Sequence, residues 1–589
     1  MRKCSKKLLA VLTAAAMACG LAACGGDSKE SSSGAPAGES RAEEGGKEEE
    51  GSDAAEGSGE GEAESGGSGE ASAAGRISQE EITLEVTGPQ PSGLEDWTKL
   101  AVIEEYANRL GIRLNCNFYQ TDWETQRTLM VADDKVPDLV INAGIGIGDM
   151  NKWGEEGYFL NLKDYIHLMP NMQKTFEEYP GLEAFVTASD GSIYGLARVS
   201  VDLTDRLSRT YINRKWLENL NLEVPSTIDE LYDVLKAFKE QDANGNGDPN
   251  DEVPMLYQAS YYAVENVLLN AYGIRMGGVG SPSYLLEAEE DGKVYLVNTT
   301  DAYREFLRFM HRLYAEGLME QQAYTITSDE ITSKQQGDVY GFFGCGSAPF
   351  VMANRDISYD AEWVGLAGLT SSLHSEKTAP LATPVGSSIT IAVGADTEHP
   401  EEVVKFLDYF YSEEGKLAAT RGYEGVTFDY VHDDELDFDN PQMRCPEGYA
   451  SDEEYRYKGA VINTGFNLVE ENAVRAALFE VPMDTLLRDN VVKTYGWAAL
   501  TAYANRQEGI SFVDMFPRIA YTTEEADARL TLYNDINKYL ETTKAQFITG
   551  ELDLDADWDN YVGTLDQMGL ADLLAIEQGA YDRYLSVVQ

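Results

Sequence analysis

The sequence predicts an α/β fold with more than one domain. Residues 82–86, 112–119 and 139–142 alternate or stay apolar in the manner of short strands. Between them, residues 100–110 and 126–132 carry apolar side chains at helical spacing. This strand-helix-strand-helix-strand order is typical of a parallel sheet, in which ligands bind at the carboxyl ends of the strands. The roughly 510 residues beyond the N-terminal region suffice for two or more domains.

The later elements are predicted from periodicity and capping. Residues 387–393 are expected to form a strand, and residues 400–410 a helix with Pro400 in its first turn. We expect residues 412–415 to end that helix. From Thr522 onward the chain is expected to be mostly helical. One face of this C-terminal helix carries Leu530, Tyr533, Ile536, Asn537 and Leu540.

Residues 1–23 have the three parts of a secretory signal. Basic residues precede Leu8, an apolar run extends from Leu8 to Leu21, and Leu21-Ala22-Ala23-Cys24 follows. The apolar run is shorter than the about 20 residues that a membrane-spanning helix needs. The ending resembles a bacterial lipobox, so Cys24 is the expected site of lipidation. An ordinary signal with a chance Cys is the alternative.

Residues 24–76 form a low-complexity segment rich in Gly, Ser, Ala and Glu. This composition cannot bury a hydrophobic core, so we expect a disordered, acidic tether behind the lipidated Cys24. A coil of roughly 50 residues has an end-to-end distance on the order of 40 Å.

The charge balance excludes two classes of partner. The chain has 101 Asp and Glu against 46 Lys and Arg, a net charge of -55. Such a charge argues against nucleic acid and against direct contact with anionic lipids, so membrane attachment is expected through the lipid anchor only. Cys116, Cys345 and Cys445 are too widely spaced to indicate a disulfide framework or a zinc site.

The stretch D-A-N-G-N-G-D-P-N-D-E has the oxygen spacing of a calcium loop. The alternate oxygen donors, the turn glycine and a backbone-carbonyl donor are Asp242, Asn244, Asn246, Gly247 and Asp248. Position twelve is Val253 where an EF-hand carries Glu, so we expect a compact structural site and not a helix-loop-helix switch. A capping box at residues 227–230 begins the helix that enters the loop. A polar turn without metal is the alternative.

The motifs of common enzymes are missing from the sequence. None of the five His lies in H-E-x-x-H, and neither a P-loop nor G-x-S-x-G is present. Gly144, Gly146 and Gly148 are followed by Asp149, so they lack the third glycine of a dinucleotide-binding fingerprint. We therefore expect no enzymatic activity. A polysaccharide-active enzyme stays open as an alternative, because a catalytic carboxylate pair is defined in space and not in sequence.

Aromatic residues near predicted strand ends indicate a carbohydrate ligand. Sugar C–H faces stack on aromatic rings, and sugar hydroxyls bond to planar polar groups. The candidate ligand-binding residues are Trp97, Asp122, Trp123, Asn142, Trp153, Arg198, Tyr261, Tyr262, Phe343, Trp363 and Trp497. Arg198 would suit the carboxylate of a uronate, with an ion pair between domains as the alternative. Trp216 and Trp558 are expected to be packing residues.

A set of stretches throughout the chain carries a family resemblance. They are the lipobox and residues 190–196, 224–254, 412–415, 422–425, 547–550, 568–570 and 578–584. Together they resemble the lipid-anchored solute-binding proteins of bacterial ABC importers, in the large family that binds carbohydrates. The resemblance is strongest to the lipoprotein-type subgroup of Gram-positive bacteria.

This resemblance implies a two-lobed fold of the periplasmic-binding-protein type II, with the ligand in a cleft between hinge-linked lobes. We expect lobe 1 at residues 80–205 and 388–470, and lobe 2 at residues 206–387 and 471–589. The implied protein is a monomer on the outer face of the cytoplasmic membrane that delivers an oligosaccharide or uronate-containing sugar to the transmembrane subunits of an ABC permease. A peptide or other nutrient receptor of the same fold is the alternative.

The resemblance also specifies the calcium ligands. Related alginate-binding proteins hold Ca²⁺ in a D-x-N-x-N-G loop that ends in Asp-Glu. The matching positions here are Asp242, Asn244, Asn246, Asp248, Asp251 and Glu252. The Asp-Glu pair lies one residue later than in the shorter version of that loop, which leaves the role of Asn250 open.

Overall fold

The computed structural model describes the chain from residue 75 onward, with gaps. The described ranges are 75–90, 97–259, 264–278, 283–344, 362–433, 438–449, 452–461, 465–470, 504–505 and 508–588. Ala73–Gln589 forms one compact unit. Of the residues singled out above, Cys24, Tyr261, Tyr262, Cys345 and Trp497 lie outside the described residues, as does the signal of residues 1–23.

The described chain contains both strands and helices. The strands are β1 (Ile82–Pro89), β2 (Ile112–Tyr119), β3 (Leu139–Ile145), β4 (Gly195–Ser200), β5 (Thr210–Asn213), β6 (Val253–Met255), β7 (Leu286–Ala288), β8 (Val294–Leu296), β9 (Tyr340–Gly344), β10 (Trp363–Gly365), β11 (Thr378–Leu381), β12 (Val385–Val393), β13 (Phe428–Asp433), β14 (Phe438–Met443), β15 (Val469–Glu470) and β16 (Ser511–Asp514).

The α-helices are Ala101–Glu105, Trp123–Ala132, Ile147–Glu155, Pro170–Glu178, Pro180–Val186, Leu203–Arg206, Arg214–Asn219, Ile228–Glu240, Val264–Asn270, Asp301–Ala315, Ser328–Gln335, Pro400–Tyr409, Glu413–Thr420, Asp452–Tyr455, Thr523–Thr549, Trp558–Gln567 and Leu570–Val588. Shorter helical turns are Trp97–Lys99, Tyr106–Leu110, Leu162–Leu168, Val297–Thr299 and Arg456–Ala460. In the described part of the chain, no helix is both long enough and apolar enough to cross a membrane.

The larger sheet runs in the order β15-β4-β12-β3-β1-β2. β1 pairs in parallel with β2, from Ile82 opposite Ile112 to Pro89 opposite Tyr119, and also in parallel with β3. β12 comes from a distant part of the chain and enters antiparallel between β3 and β4. The parallel arrangement predicted for the first three strands is therefore confirmed, and their carboxyl ends meet at one edge of the sheet.

A second sheet runs in the order β10-β5-β9-β6. One hydrophobic core is built from residues 84–199 and 385–469, and another from residues 212–369 and 536–573. Each core thus combines segments that are far apart in sequence. We propose that these two cores are those of the two lobes expected above.

The ends of the helices follow from local side-chain chemistry. The capping box is confirmed, because Thr227 Oγ1 accepts the Glu230 N–H at 3.1 Å while the Glu230 carboxylate accepts the Thr227 N–H at 3.2 Å. Residues 412–415 were expected to end a helix, and this is wrong. Ser412 Oγ accepts the Gly415 N–H at 3.1 Å, so this serine begins the next helix.

Candidate functional site

Two adjoining cavities lie between the two cores. Cavity 1 has a volume of about 790 Å³ and is lined by Ile147 and Phe185 from one core, Met276 and Leu285 from the other, and residues around Arg518. Cavity 2 has a volume of about 810 Å³. The segment of residues 515–518 lines both cavities. Each volume is within the range of sites that hold small molecules and short oligosaccharides.

Aromatic side chains form much of the cavity walls. In cavity 1 the rings of Tyr284 and Tyr533 meet edge to face, with centroids 5.2 Å apart. In cavity 2 the rings of Phe516 and Tyr581 are stacked, with centroids 5.0 Å apart. Such surfaces can pack against the C–H face of a sugar ring.

The carboxylate of Glu577, which is fully buried, holds the wall of cavity 1 together. Its Oε1 accepts hydrogen bonds from Arg529 Nε at 2.8 Å and from the Tyr284 hydroxyl at 3.3 Å, and its Oε2 accepts one from the Tyr521 hydroxyl. The Arg529 guanidinium also lies 4.0 Å from the centroid of the Tyr533 ring. This network fixes three cavity-lining rings and neutralises Arg529.

Arg518 differs from the other arginines around the cavities. Arg206 pairs with Asp514 at 2.8 Å, and the Arg275 guanidinium makes three hydrogen bonds to Glu287. Within the described ranges, no carboxylate or other hydrogen-bonding partner contacts Arg518. The Arg518 side chain is solvent-accessible at the cavity wall, but desolvation by the protein atoms around it lowers the pKa of its guanidinium.

Sequence reasoning missed this set of residues. Tyr533 was recognised only as part of a helix face, and Tyr581 only as part of a family-like stretch. Arg518 has no sequence signal at all, because an isolated arginine in an acidic chain is ordinarily paired.

The structure brings three of the sequence-predicted residues to one edge of the larger sheet. Asp122 and Trp123 follow the end of β2, and Asn142 lies in β3. Trp123 is half-buried, and its Nε1 donates to the carbonyl of Ala143 at 2.9 Å. Asp122 and Asn142 both have left-handed backbone conformations, with φ of 60° and 46°. We propose that Asp122, Trp123 and Asn142 face the ligand.

Three other residues were predicted to be exposed aromatic groups that stack on sugars, and this is wrong because all three lie in the core. Trp97 is 2% exposed and packs against Phe118 with ring centroids 4.6 Å apart. Phe343 and Trp363 are 0% and 1% exposed, and their ring centroids lie 4.9 Å apart. A sugar ring cannot stack on a side chain whose faces are already covered by protein. Their aromatic character reflects packing inside the fold.

Two further candidates have protein contacts that explain their positions. Trp153 is half-buried and lies 6.4 Å from Phe159, centroid to centroid. Arg198, in β4, donates from Nη2 to Oδ1 of Asn467, two residues before β15, at 3.1 Å. Trp216 is fully buried, as expected, and the ring of Trp558, also buried, lies 6.0 Å from that of Phe547 on another helix, centroid to centroid.

The loop of residues 242–252 is closed by its own oxygens. Asp242 Oδ2 accepts the Gly247 N–H at 3.0 Å, and Asn246 Oδ1 accepts the Asp248 N–H at 2.7 Å. Gly247 has φ of 93°, a conformation that side chains disfavour, which explains the glycine at this turn.

Two carboxylates of the loop each have an oxygen that no protein group satisfies. In the described part of the chain, Asp242 Oδ1 and Glu252 Oε2 are buried and accept no hydrogen bond. Glu252 is 1% exposed, and burial raises its pKa. The described residues contain no cluster of three or more His, Cys, Asp or Glu side chains close enough to hold a metal. The donors of the loop, however, include the amide oxygens of Asn244 and Asn246.

Comparison with known proteins assigns the family. Residues 93–417 match the family of bacterial extracellular solute-binding proteins. The chain is 27% identical over 520 residues to the fructooligosaccharide ABC transporter substrate-binding protein FusA of Streptococcus pneumoniae, covering 86% of this chain and 91% of FusA. It is 28% identical over 223 residues to the polygalacturonan/rhamnogalacturonan-binding protein YtcQ of Bacillus subtilis, covering 37% of this chain and 41% of YtcQ.

Solved structures share the fold. FusA in complex with kestose matches with a TM-score of 0.66 at 24% identity, covering 86% of this chain and 100% of that chain. Alginate-binding protein AlgQ2 without calcium ion matches with a TM-score of 0.60 at 22% identity, covering 86% of this chain and 99% of that chain. These likenesses confirm the two-lobed type II fold predicted from the sequence. Because the family match spans more than half of the chain, this protein belongs to the bacterial extracellular solute-binding protein family.

Proposed function

We propose that this protein captures an oligosaccharide outside the cell and delivers it to the permease of an ABC importer. The observation that carries the proposal is the alignment with FusA, a fructooligosaccharide-binding component of an ABC transporter, over 91% of its length. The likeness to YtcQ, which binds polygalacturonan and rhamnogalacturonan, supports carbohydrate as the ligand class.

The arrangement of the site suits this function physically. Aromatic rings from different parts of the chain line the space between the two cores, where they can stack on sugar rings. A ligand that contacts both lobes binds the closed form better than the open form, and this difference in affinity drives closure. The closed shape would then be the signal that the permease recognises.

The proposed function involves no covalent chemistry. FusA is the substrate-binding protein of an ABC transporter, and binding for transport requires that the ligand leave unchanged. Incubation of the purified protein with an oligosaccharide that it binds should leave the oligosaccharide intact. Release of shorter sugars would instead support the enzyme alternative.

We further propose that the loop of residues 242–252 binds a structural Ca²⁺. All its donors are oxygens, as this hard cation prefers, and the buried, unsatisfied Asp242 Oδ1 and Glu252 Oε2 would gain a partner. The proposed ligands are Asp242, Asn244, Asn246, Asp248, Asp251 and Glu252. An EF-hand mutant of FusA has been solved, with a TM-score of 0.65 at 23% identity, covering 86% of this chain and 100% of that chain. The bound ion would neutralise part of the negative charge of the loop's carboxylates.

The partners and location are proposals of the same kind. We propose a monomer held by a lipid on Cys24 to the outer face of the cytoplasmic membrane, with residues 24–76 as tether. Membership of an extracellular family agrees with a surface location. The tether would allow the binding unit to reach the transmembrane subunits of its permease.

A thermal-shift scan tests the proposed function. The purified protein is mixed separately with fructooligosaccharides, galacturonides, other oligosaccharides and peptides. A ligand at 100 times its Kd adds about 2.7 kcal/mol of stability, so a true ligand raises the melting temperature measurably. Stabilisation by an oligosaccharide is the expected result. Stabilisation by peptides alone would refute the proposal.

A further inference from the structure

Cavity 1 has a charge character opposite to that of the chain. The protein carries 101 acidic residues against 46 basic ones. Among the described residues that line cavity 1, the charged side chains are Arg518 and Arg529, and none is Asp or Glu. Cavity 2, by contrast, is lined by both signs of charge: acids that include Glu178 and Glu289, and the arginines Arg206, Arg275 and Arg518.

Only one of these two positive charges is available to a ligand. Arg529 donates to the buried carboxylate of Glu577 and lies against the rings of Tyr521 and Tyr533. Arg518 is solvent-accessible, lines both cavity 1 and the adjoining cavity 2, and makes no hydrogen bond to an acidic side chain among the residues that the structure describes. On the side of cavity 1, where no described lining residue is a carboxylate, a guanidinium without an acidic hydrogen-bond partner can receive an anion.

We infer that cavity 1 binds an acidic saccharide, with the carboxylate of a uronate ring held by Arg518 and the ring packed on the neighbouring tyrosines. This inference rests on the proposed function, because it names the class of sugar that the protein captures. The planar guanidinium can donate two parallel hydrogen bonds to one carboxylate, a geometry that a neutral sugar cannot use. The Tyr284 and Tyr533 rings, edge to face, offer an apolar surface beside it.

The net charge of the protein strengthens the argument. A chain with a net charge of -55 repels acidic sugars at long range, so non-specific attraction cannot retain them. Binding of a uronate would therefore require a local cation in a cavity that lacks acids. The full cavity, about 790 Å³, has room for more than the carboxylate group.

The test compares three ligands and three variants of the full-length chain by calorimetry. The ligands are trigalacturonate, its fully methyl-esterified form and the neutral trisaccharide kestose. Arg518→Gln removes the charge, and Arg518→Lys keeps the charge without the two-pronged donor. Arg113→Gln is the charge-matched control, because Arg113 pairs with Glu81 on the surface outside both cavities.

We expect trigalacturonate to bind the parent, and Arg518→Gln to weaken it about 10- to 100-fold, as loss of a hydrogen-bonded charge pair does. The affinity of Arg518→Lys for trigalacturonate should lie between those of the parent and Arg518→Gln. Arg113→Gln should bind trigalacturonate as tightly as the parent does. Each variant should melt like the parent in the absence of sugar, which separates a binding role from a structural one.

Two results would overturn the inference. One is binding of trigalacturonate that Arg518→Gln leaves unchanged, or weakens no more than Arg113→Gln does. The other is a parent that does not bind trigalacturonate. Kestose then separates the two proposals: if the parent binds it, the inference fails while the proposed function stands. If no sugar binds, both fail.

Discussion

Removal of calcium should destabilise the protein, and Asp242→Ala is the sharpest perturbation. Asp242 stands at the first ligand position, and its Oδ1 is buried without a hydrogen-bond partner. Its other oxygen already accepts the Gly247 N–H at 3.0 Å. Alanine removes both carboxylate oxygens, so the variant should lose calcium binding and also the hydrogen bond from the Gly247 N–H.

The expected change in stability on calcium binding follows from the two buried carboxylate oxygens that lack a hydrogen-bond partner among the described residues. A buried polar atom without a partner costs about 1–3 kcal/mol, and the loop has two, on Asp242 and Glu252. Calcium would relieve this cost. Calcium at 100 times its Kd would add about 2.7 kcal/mol to the free energy of unfolding. For a domain of 150–250 residues this corresponds to an increase in melting temperature of about 5–10 °C.

The assay is differential scanning calorimetry of parent and variants in EGTA and in millimolar Ca²⁺. Asp248→Ala is a matched control from the same loop. Among the described residues its carboxylate bonds only to Asn250, at 3.0 Å and 3.2 Å, and its proposed ligand is the backbone carbonyl that alanine retains. The parent and Asp248→Ala should be stabilised by calcium, and Asp242→Ala should not. If the parent has the same melting temperature with and without calcium, the loop is a polar turn that does not bind the ion.

Four further predictions concern the lipid anchor, two aromatic residues and the pH dependence of stability. Cys24→Ala should abolish incorporation of a fatty-acid analogue in cells, and undiminished labelling would contradict the lipid anchor. Trp363→Ala should lower the free energy of unfolding by about 3–5 kcal/mol, because the side chain is fully buried. Trp123→Ala should lower the free energy of unfolding less than Trp363→Ala does, but it should weaken oligosaccharide binding. If the parent and Trp123→Ala bind the oligosaccharide equally well, Trp123 is not part of the binding site. Burial acts to raise the pKa of Glu525, but hydrogen bonds from Arg583 and a backbone N–H bring it below its ordinary value of 4.5. The stability from this lowered pKa is present above pH 4.5 and is lost as pH falls through the folded pKa, so the melting difference between parent and Arg583→Met should shrink in acid. A difference that stays constant down to about pH 3 would contradict this linkage.

Local features were predictable because each depends on residues close together in sequence. The helix after Thr227 begins where its hydroxyl and the Glu230 carboxylate satisfy each other's backbone N–H groups. The turn at Gly247 requires a positive φ that glycine adopts without strain. Ser412 shows the limit of such reasoning, since a capping serine between two helices can be assigned to either until the backbone is known.

The candidate site was less predictable because burial and pairing are decided by distant segments. Trp97, Phe343 and Trp363 have the same sequence character as a sugar-stacking aromatic, yet they are covered by other parts of the chain. Trp123, by contrast, remains half-buried at the edge of the larger sheet. Aromatic residue type alone does not distinguish a core residue from a binding residue.

The sequence by itself determined the strand-helix order, the capping signals, the oxygen spacing of the calcium loop and the family resemblance, since all of these are encoded in short patterns. The tertiary structure alone decided that β12 enters between β3 and β4, and that residues from Ile147 to Tyr533 share one cavity. It also decided that Glu577 neutralises Arg529 while no described carboxylate reaches Arg518. The physical reason is that charge compensation and solvent exposure depend on distances in space between residues hundreds of positions apart, and no local pattern specifies those distances.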